Sequence, residues 1–144
     1  MRSLVVISLL LLAGQRAATP VGDYRLATVD GVRVPMIWRQ LEQEDQGAIQ
    51  LHWISGGAEV RRDGTFAVSL TMMRSGKGFS GTPEAVIQRG TWRILSGFRV
   101  ELRFSDGRVA VWDAAEGFAR LVLTVRSPDL DGQYRIATMV LVRS

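Results

Sequence analysis

Two stretches decide the reading of the fold: Gly22–Val29, "GDYRLATV", and Gly132–Met139, "GQYRIATM". Five of the eight positions are identical, and Leu26/Ile136 and Val29/Met139 are near matches. An open sheet leaves unpaired backbone donors and acceptors on its first and last strands. An up-and-down barrel removes those edges by pairing the first strand with the last. Two strands so placed meet the same demands, with a tyrosine facing in, an arginine facing out, and small alanine and threonine beyond. The octamers are therefore expected to lie side by side. Chance likeness between β-rich octamers, or an old duplication, would give the same words without closure.

The rest of the chain reads as strands, with no convincing helix after Pro20. Phe98, Val100, Leu102 and Phe104 alternate with Arg99, Glu101 and Arg103, which puts the apolar row on one face. Phe66, Val68, Leu70 and Met72 form a second such row, and Leu121, Leu123 and Val125 a third. Tyr24, Leu26 and Thr28 alternate with Arg25 and Ala27. Tyr134, Ile136, Thr138, Val140 and Val142 are expected to do the same at the C-terminus.

Turns punctuate these runs. Asp-Gly occurs at 30–31, 63–64, 106–107 and 131–132, and both residue types tolerate the positive φ of tight hairpins. Gly56-Gly57, Ser96-Gly97 and Glu116-Gly117 add further turns. The widest irregular stretch, Ser75–Glu84 ("SGKGFSGTPE"), reads as a mobile loop at one end. Short strands with frequent turns predict an antiparallel up-and-down barrel of about eight strands.

Met1–Ala18 has the order of a secretory signal peptide: Arg2, an apolar run over Leu4–Gly14, then small residues at Ala17 and Ala18 before Pro20. The run is shorter than the ~20 residues that span a bilayer. Leu12-Ala13-Gly14 is followed by Gln15 and not by a lipid-accepting cysteine. The expected organisation is a leader over 1–18 and one domain over 19–144, periplasmic or secreted, without stable membrane insertion once the leader is removed. The chain has no cysteine, so folding does not depend on oxidation. The formal charge of +4 falls to +2 when Arg2 and Arg16 leave with the leader.

"GDYRLATVDGVRVP" (Gly22–Pro35), "GAEVRRDGTFAVSLTM" (Gly57–Met72) and "GTWRILSGFRVELRFSDG" (Gly90–Gly107) resemble the small bacterial lipocalin-like domain proteins. The resemblance covers nearly all of the chain after the leader. It implies a secreted single-domain β-barrel with an apolar-lined cavity. Lipocalins carry an early Gly-x-Trp across the closed end of the barrel; Gly22-Asp23-Tyr24 stands there, so Tyr24 is implied as the substitute.

Sites for chemistry are sparse. His52 is the sole histidine, and Leu51 and Trp53 point to the opposite strand face. A metal site needs three or four donors, so none is expected. Gly78-Phe79-Ser80-Gly81 lacks the nucleophile-elbow spacing, and His52 precedes Ser80 in chain order. Ser75-Gly76-Lys77-Gly78 lacks the first glycine and the final Ser/Thr of a phosphate loop. Glu42 with Glu44, and Asp106 with Asp113, are the carboxylate pairs weighed for glycoside chemistry; each sits amid solvated residues. No catalytic residues and no cofactor are expected. The arginines at 61, 62, 74, 89, 93, 99, 103 and 108 are interleaved with Glu59, Asp63, Glu101 and Asp106. That argues for cross-strand pairing on an outer face and against nucleic-acid binding.

The aromatic residues carry the remaining signal. If Val109 and Val111 point in, Trp112 faces out beside Arg108. Trp38 and Trp53 are expected near a rim, with Phe79 capping the mouth. The expected function is non-enzymatic: a monomeric barrel holding a small apolar or amphipathic ligand. Its lining would come from Trp38, Trp53, Phe66, Leu70, Phe79, Trp92, Phe98, Val100, Leu102 and Tyr134. The alternative is an envelope protein-interaction barrel with a solid core. A cavity of a few hundred Å³ favours the first, and a densely filled interior the second.

Overall fold

The computed structural model describes residues 19–43, 47–96, 98–114 and 117–144. The segment 1–18, on which the expected leader falls, lies outside them together with Glu44, Gly97 and Glu116. Eleven strands run in chain order, with no helix among the described residues. They are β1 (Gly22–Val29), β2 (Val32–Arg33), β3 (Met36–Gln43), β4 (Gly47–Val60), β5 (Thr65–Gly76), β6 (Phe79–Ser80), β7 (Glu84–Ile94), β8 (Arg99–Phe104), β9 (Val109–Asp113), β10 (Arg120–Pro128) and β11 (Tyr134–Arg143). Eight of them form a nearly closed antiparallel barrel in the order β10-β11-β1-β4-β5-β7-β8-β9, and β2, β3 and β6 pair onto its rim.

The terminal strands do pair. The β1–β11 ladder runs from Tyr24 opposite Arg143 to Val29 opposite Met139. The ring instead stays unladdered between β9 and β10, neighbours in the chain. The alternating rows explain the core: Phe66, Val68, Leu70 and Met72, then Val100, Leu102 and Phe104, then Leu121, Leu123 and Val125, are all buried. All four Asp-Gly pairs form turns with a positive-φ glycine. At 30–31 both residues have φ > 0, the type I′ requirement. In three hairpins the aspartate side chain caps the turn: Asp63, Asp106 and Asp131 accept from the amides of Thr65, Arg108 and Gln133. On the outer wall Glu101 takes a hydrogen bond from Arg93 of β7 at 3.1 Å, the expected cross-strand pairing, and one from Arg103 of its own strand at 3.3 Å.

Several expectations need correction. The two octamers occupy unlike environments: Tyr24 is buried, whereas Tyr134 is 68 % exposed. In β11 the buried row is Ala137, Met139 and Leu141, the phase opposite to the one expected. Both phases of that strand are apolar, and register against Leu121, Leu123 and Val125 decides between them. The same holds in β9. Trp112 stands opposite the buried Val100 and Ala110 opposite Leu102, so Trp112 points in and Val109 and Val111 point out. Phe98 precedes β8 and is 52 % exposed, so it does not join its row. Ser75–Glu84 is largely a hairpin: Phe79 and Ser80 pair back onto β5 at Gly76 and Ser75. In β1 the register slips between Leu26 and Thr28, which turns Val29 inward.

Candidate functional site at the loop end of the barrel

The barrel has two unlike ends. The turn at 61–64, the Ile94 end of β7, the Arg99 end of β8 and the outer ends of β1 and β11 gather at one. There Tyr24 meets Trp112 edge to face at 5.5 Å, and Trp112 meets Phe118 at 5.1 Å. The Tyr24 hydroxyl donates to the Pro20 carbonyl at 2.8 Å and accepts from Arg143 at 2.8 Å. Phe66 packs edge to face on Phe104 at 5.1 Å. The middle of the barrel is thus occupied by rings and aliphatic side chains in contact, with Trp53, Leu70, Val100 and Leu102 fully buried.

The other end is open on one side. Residues directly opposite in an antiparallel ladder share a face. Leu51 pairs with Arg74, Met72 with Glu84, and Leu70 with Val86. Leu51, Met72 and Leu70 are buried, so Arg74, Glu84 and Val86 continue the inward face as it reaches solvent. Leu51, Met72, Arg74, Glu84 and Val86 line a groove of about 450 Å³ together with Gly81 and Thr82. Gly81 lies hard against β5: its amide donates to the Arg74 carbonyl at 2.8 Å, and a Cβ there would meet that oxygen at 2.7 Å. The floor is apolar and includes a thioether, while the rim carries one cation and one anion. Neither Arg74 nor Glu84 has a hydrogen-bonding or ionic side-chain partner among the described residues.

Elsewhere at this end a charged cluster joins strands. Asp129 is buried, bonded to Arg135, and 3.4 Å from Nε of Arg39 on β3. Burial pushes its carboxyl up, but Arg135, the Leu130 amide and Arg39 together outweigh this and hold it below the usual range. Ser127 Oγ lies 3.8 Å from Met72 Sδ, joining β10 to β5 near the groove floor.

The sequence-derived residues distribute as follows. Trp38 is half-buried and packs edge to face on buried Trp53 at 5.5 Å, its N–H on Asp30 at 3.3 Å. Phe66, Leu70, Val100 and Leu102 are core. Trp92 lies at the opposite end, donating to the Arg61 carbonyl at 2.7 Å. Phe79 is half exposed and rests on Gly76, where a Cβ would come within 2.5 Å of the ring. Phe98 and Tyr134 stand outside the barrel. The sequence does not mark Leu51, Thr82, Glu84 or Val86 as lining a site, and Arg74, expected on an outer face with the other arginines, lies on the inward one. One signal was available: extending the Phe66–Met72 row by two residues puts a charge, Arg74, on the inward face.

His52 lies outside the barrel, its Nε2 2.7 Å from Ser75 Oγ. Among the described residues no three His, Asp or Glu side chains gather as a metal group, and no helix is long and apolar enough to cross a membrane. Comparison with protein-family models, curated proteins and solved structures finds no match for this chain.

Proposed function

We propose that the protein is a non-enzymatic, exported, monomeric barrel of lipocalin-like type that holds a small amphipathic molecule at its loop end. The observation that carries this reading is the groove over Leu51, Met72 and Val86, rimmed by Arg74 and Glu84. Its volume falls within the ~300–1,000 Å³ of small-molecule sites, and it combines an apolar floor with a few polar groups. Burial of a ligand's apolar body drives binding at about 25 cal/mol per Å² before ordering costs. Arg74 and Glu84, whose side chains lack partners among the described residues, orient its head. The filled centre of the barrel by itself favours the solid-core alternative and leaves only the mouth as a seat for a small molecule.

The test is a titration of tryptophan fluorescence with octanoate, laurate and 1-anilinonaphthalene-8-sulfonate. Trp53 lies two residues from Leu51 on the same row and serves as the reporter. A saturable change is expected, and it should disappear in Val86→Arg and in Thr82→Trp, which fill the groove from floor and rim. Indifference to all three probes, or binding that survives both variants with the strand content intact, refutes the reading.

A further inference from the structure

The seam between β9 and β10 shows a built vacancy of a different kind. Every other neighbouring pair around the ring is laddered. On β10, the Ala119 carbonyl accepts from Arg143 N at 2.9 Å and Asp129 N donates to the Gln133 carbonyl at 2.7 Å. Odd-numbered residues therefore turn their main chain toward β11, and Arg120, Val122, Thr124 and Arg126 turn theirs toward the seam. The seam-facing carbonyls at the two ends are taken by side chains. Trp112 Nε1 holds the Arg120 oxygen at 2.9 Å, and Gln88 Nε2 reaches the Arg126 oxygen at 3.4 Å. Between them the seam-side edges of Val122 and Thr124 lie on no ladder, since β10 is laddered with β11 alone. On β9, Arg108 O and Ala114 N bond toward β8, so Val109 and Val111 face the seam from the other side.

The side chains over this edge are apolar. Val109, Val111, Val122 and Ile136 are all about half exposed or more, and a groove of about 460 Å³ runs along them. At its open end Arg126 makes no close ion pair among the described residues and acts on Asp106 only through space, whereas Arg108 is held by Asp106 at 2.6 Å and Gln88 at 2.7 Å.

We propose that this seam takes up an extended peptide strand, with apolar outward side chains and an acidic residue beside Arg126, that adds to the unladdered edge of β10. A strand edge is a template for another strand, with main-chain bonds giving affinity and alternate side chains giving specificity. An acyl chain would cover the valines but leave the groups of Val122 and Thr124 shut away from water and unpaired, at a cost of about 1–3 kcal/mol each. A peptide satisfies both surfaces at once. The proposal is independent of the mouth groove, which lies on β4, β5 and β7.

The experiment uses a fluorescent, terminally blocked hexapeptide of alternating valine and threonine ending in aspartate. Its partner is the same peptide N-methylated at alternate residues. Anisotropy reports affinity, and NMR hydrogen exchange reports the amides of Val122 and Thr124. The expected result is saturable binding, exchange slowed about tenfold or more at both amides, and at least a tenfold loss on N-methylation, about 1.4 kcal/mol. Arg126→Glu should weaken the aspartate peptide and favour one ending in lysine, while Val86→Arg should leave binding unchanged. Slow exchange at both amides in the free protein overturns the proposal, because the seam would then already be zipped. So does equal binding of the methylated peptide, or no binding at all. Laurate binding that shifts the valine methyls without amide protection would assign the seam to an amphiphile instead.

Discussion

The indole N–H of Trp112 donates to the main-chain oxygen of Arg120 across 2.9 Å, and so ties β9 to β10 where no ladder does. The same ring stacks edge to face on Tyr24 of β1. One side chain thereby links the strand that starts the barrel to both sides of its seam. Trp112→Phe keeps an aromatic ring there but removes the donor from a part-buried carbonyl, a loss of about 0.5–1.5 kcal/mol. Trp112→Ala adds a cavity and should cost about 3–5 kcal/mol. Urea unfolding followed by circular dichroism measures both. Equal stability of Trp112→Phe and the parent would show that the tie contributes nothing.

The repeated octamers make a paired test. Leu26 and Ile136 occupy the same place in the two words, yet Leu26 is 5 % exposed and Ile136 70 %. Leu26→Ala should destabilise by about 2–5 kcal/mol, and Ile136→Ala by no more than about 0.5 kcal/mol. Similar losses in the two variants would mean that the buried phase of β11 has been misassigned.

That contrast shows what was legible in the chain and what was not. Strict alternation against charge, as in Val100–Phe104 with Arg99, Glu101 and Arg103, allowed one facing only. The pairing of first and last strands followed from edge protection, although likeness of the octamers was a poor reason for it, since Tyr24 and Tyr134 face opposite ways. In β9 and β11 both faces offer apolar side chains. There the outcome rests on which neighbour each strand registers against, which local pattern does not encode. The mouth groove was obscured for a related reason: Ala85 and Ile87 are as apolar as Val86, so β7 displayed no row. The open seam rests on Gln88 and Trp112 reaching carbonyls across strands, contacts with no signature in sequence.

Among the described glycines, Gly90 is the one where a side chain is least tolerable. A Cβ there would lie 2.0 Å from the Arg103 carbonyl oxygen and 2.8 Å from the Phe66 ring. Backbone cannot yield as a flexible side chain does. Gly90→Ala should therefore cost at least the ~1–3 kcal/mol typical of overpacking, although alanine ordinarily suits a strand better than glycine. A thermal melt checks this; an unchanged or raised Tm would show that the β7–β8 ladder is looser than its geometry.

Tyr24 predicts behaviour in alkali. Burial raises its phenol pKa, with the hydrogen bond and charge of Arg143 opposing. The folded protein thus holds this proton more tightly than the unfolded chain does. The resulting stability is complete below the ordinary tyrosine pKa, near 10, and is lost as pH rises through the higher folded value. Tyr24→Phe should abolish that part of the alkaline loss, and it should also lower stability at pH 7 by about 0.5–1.5 kcal/mol through the missing hydroxyl bonds. Denaturation midpoints at pH 7, 10 and 11 separate the two effects. A Tyr24→Phe protein that loses as much above pH 10 as the parent would place the titrating group elsewhere.

Asp129 predicts the converse in acid. Its carboxyl is held below the ordinary value although burial alone would raise it, because Arg135, the Leu130 amide and Arg39 favour the charge. The unfolded chain therefore binds this proton first as pH falls. The stability it contributes is present above the usual aspartate pKa, near 4, and disappears as pH drops through the lower folded value. Glu59, Asp63, Glu101 and Asp106 shift the same way, but they are solvent-accessible pairs and turn caps, so their shares are small and weakened by salt. Asp129→Asn should be less stable than the parent at pH 7, lose less on going to pH 3, and so converge with it in acid. The same variant leaves Arg39 and Arg135 facing each other without their shared carboxylate, which should loosen β3 from the β10–β11 turn and speed amide exchange there. If the gap between the two proteins is as wide at pH 3 as at pH 7, Asp129 holds this corner by shape and neutral hydrogen bonds, not by charge.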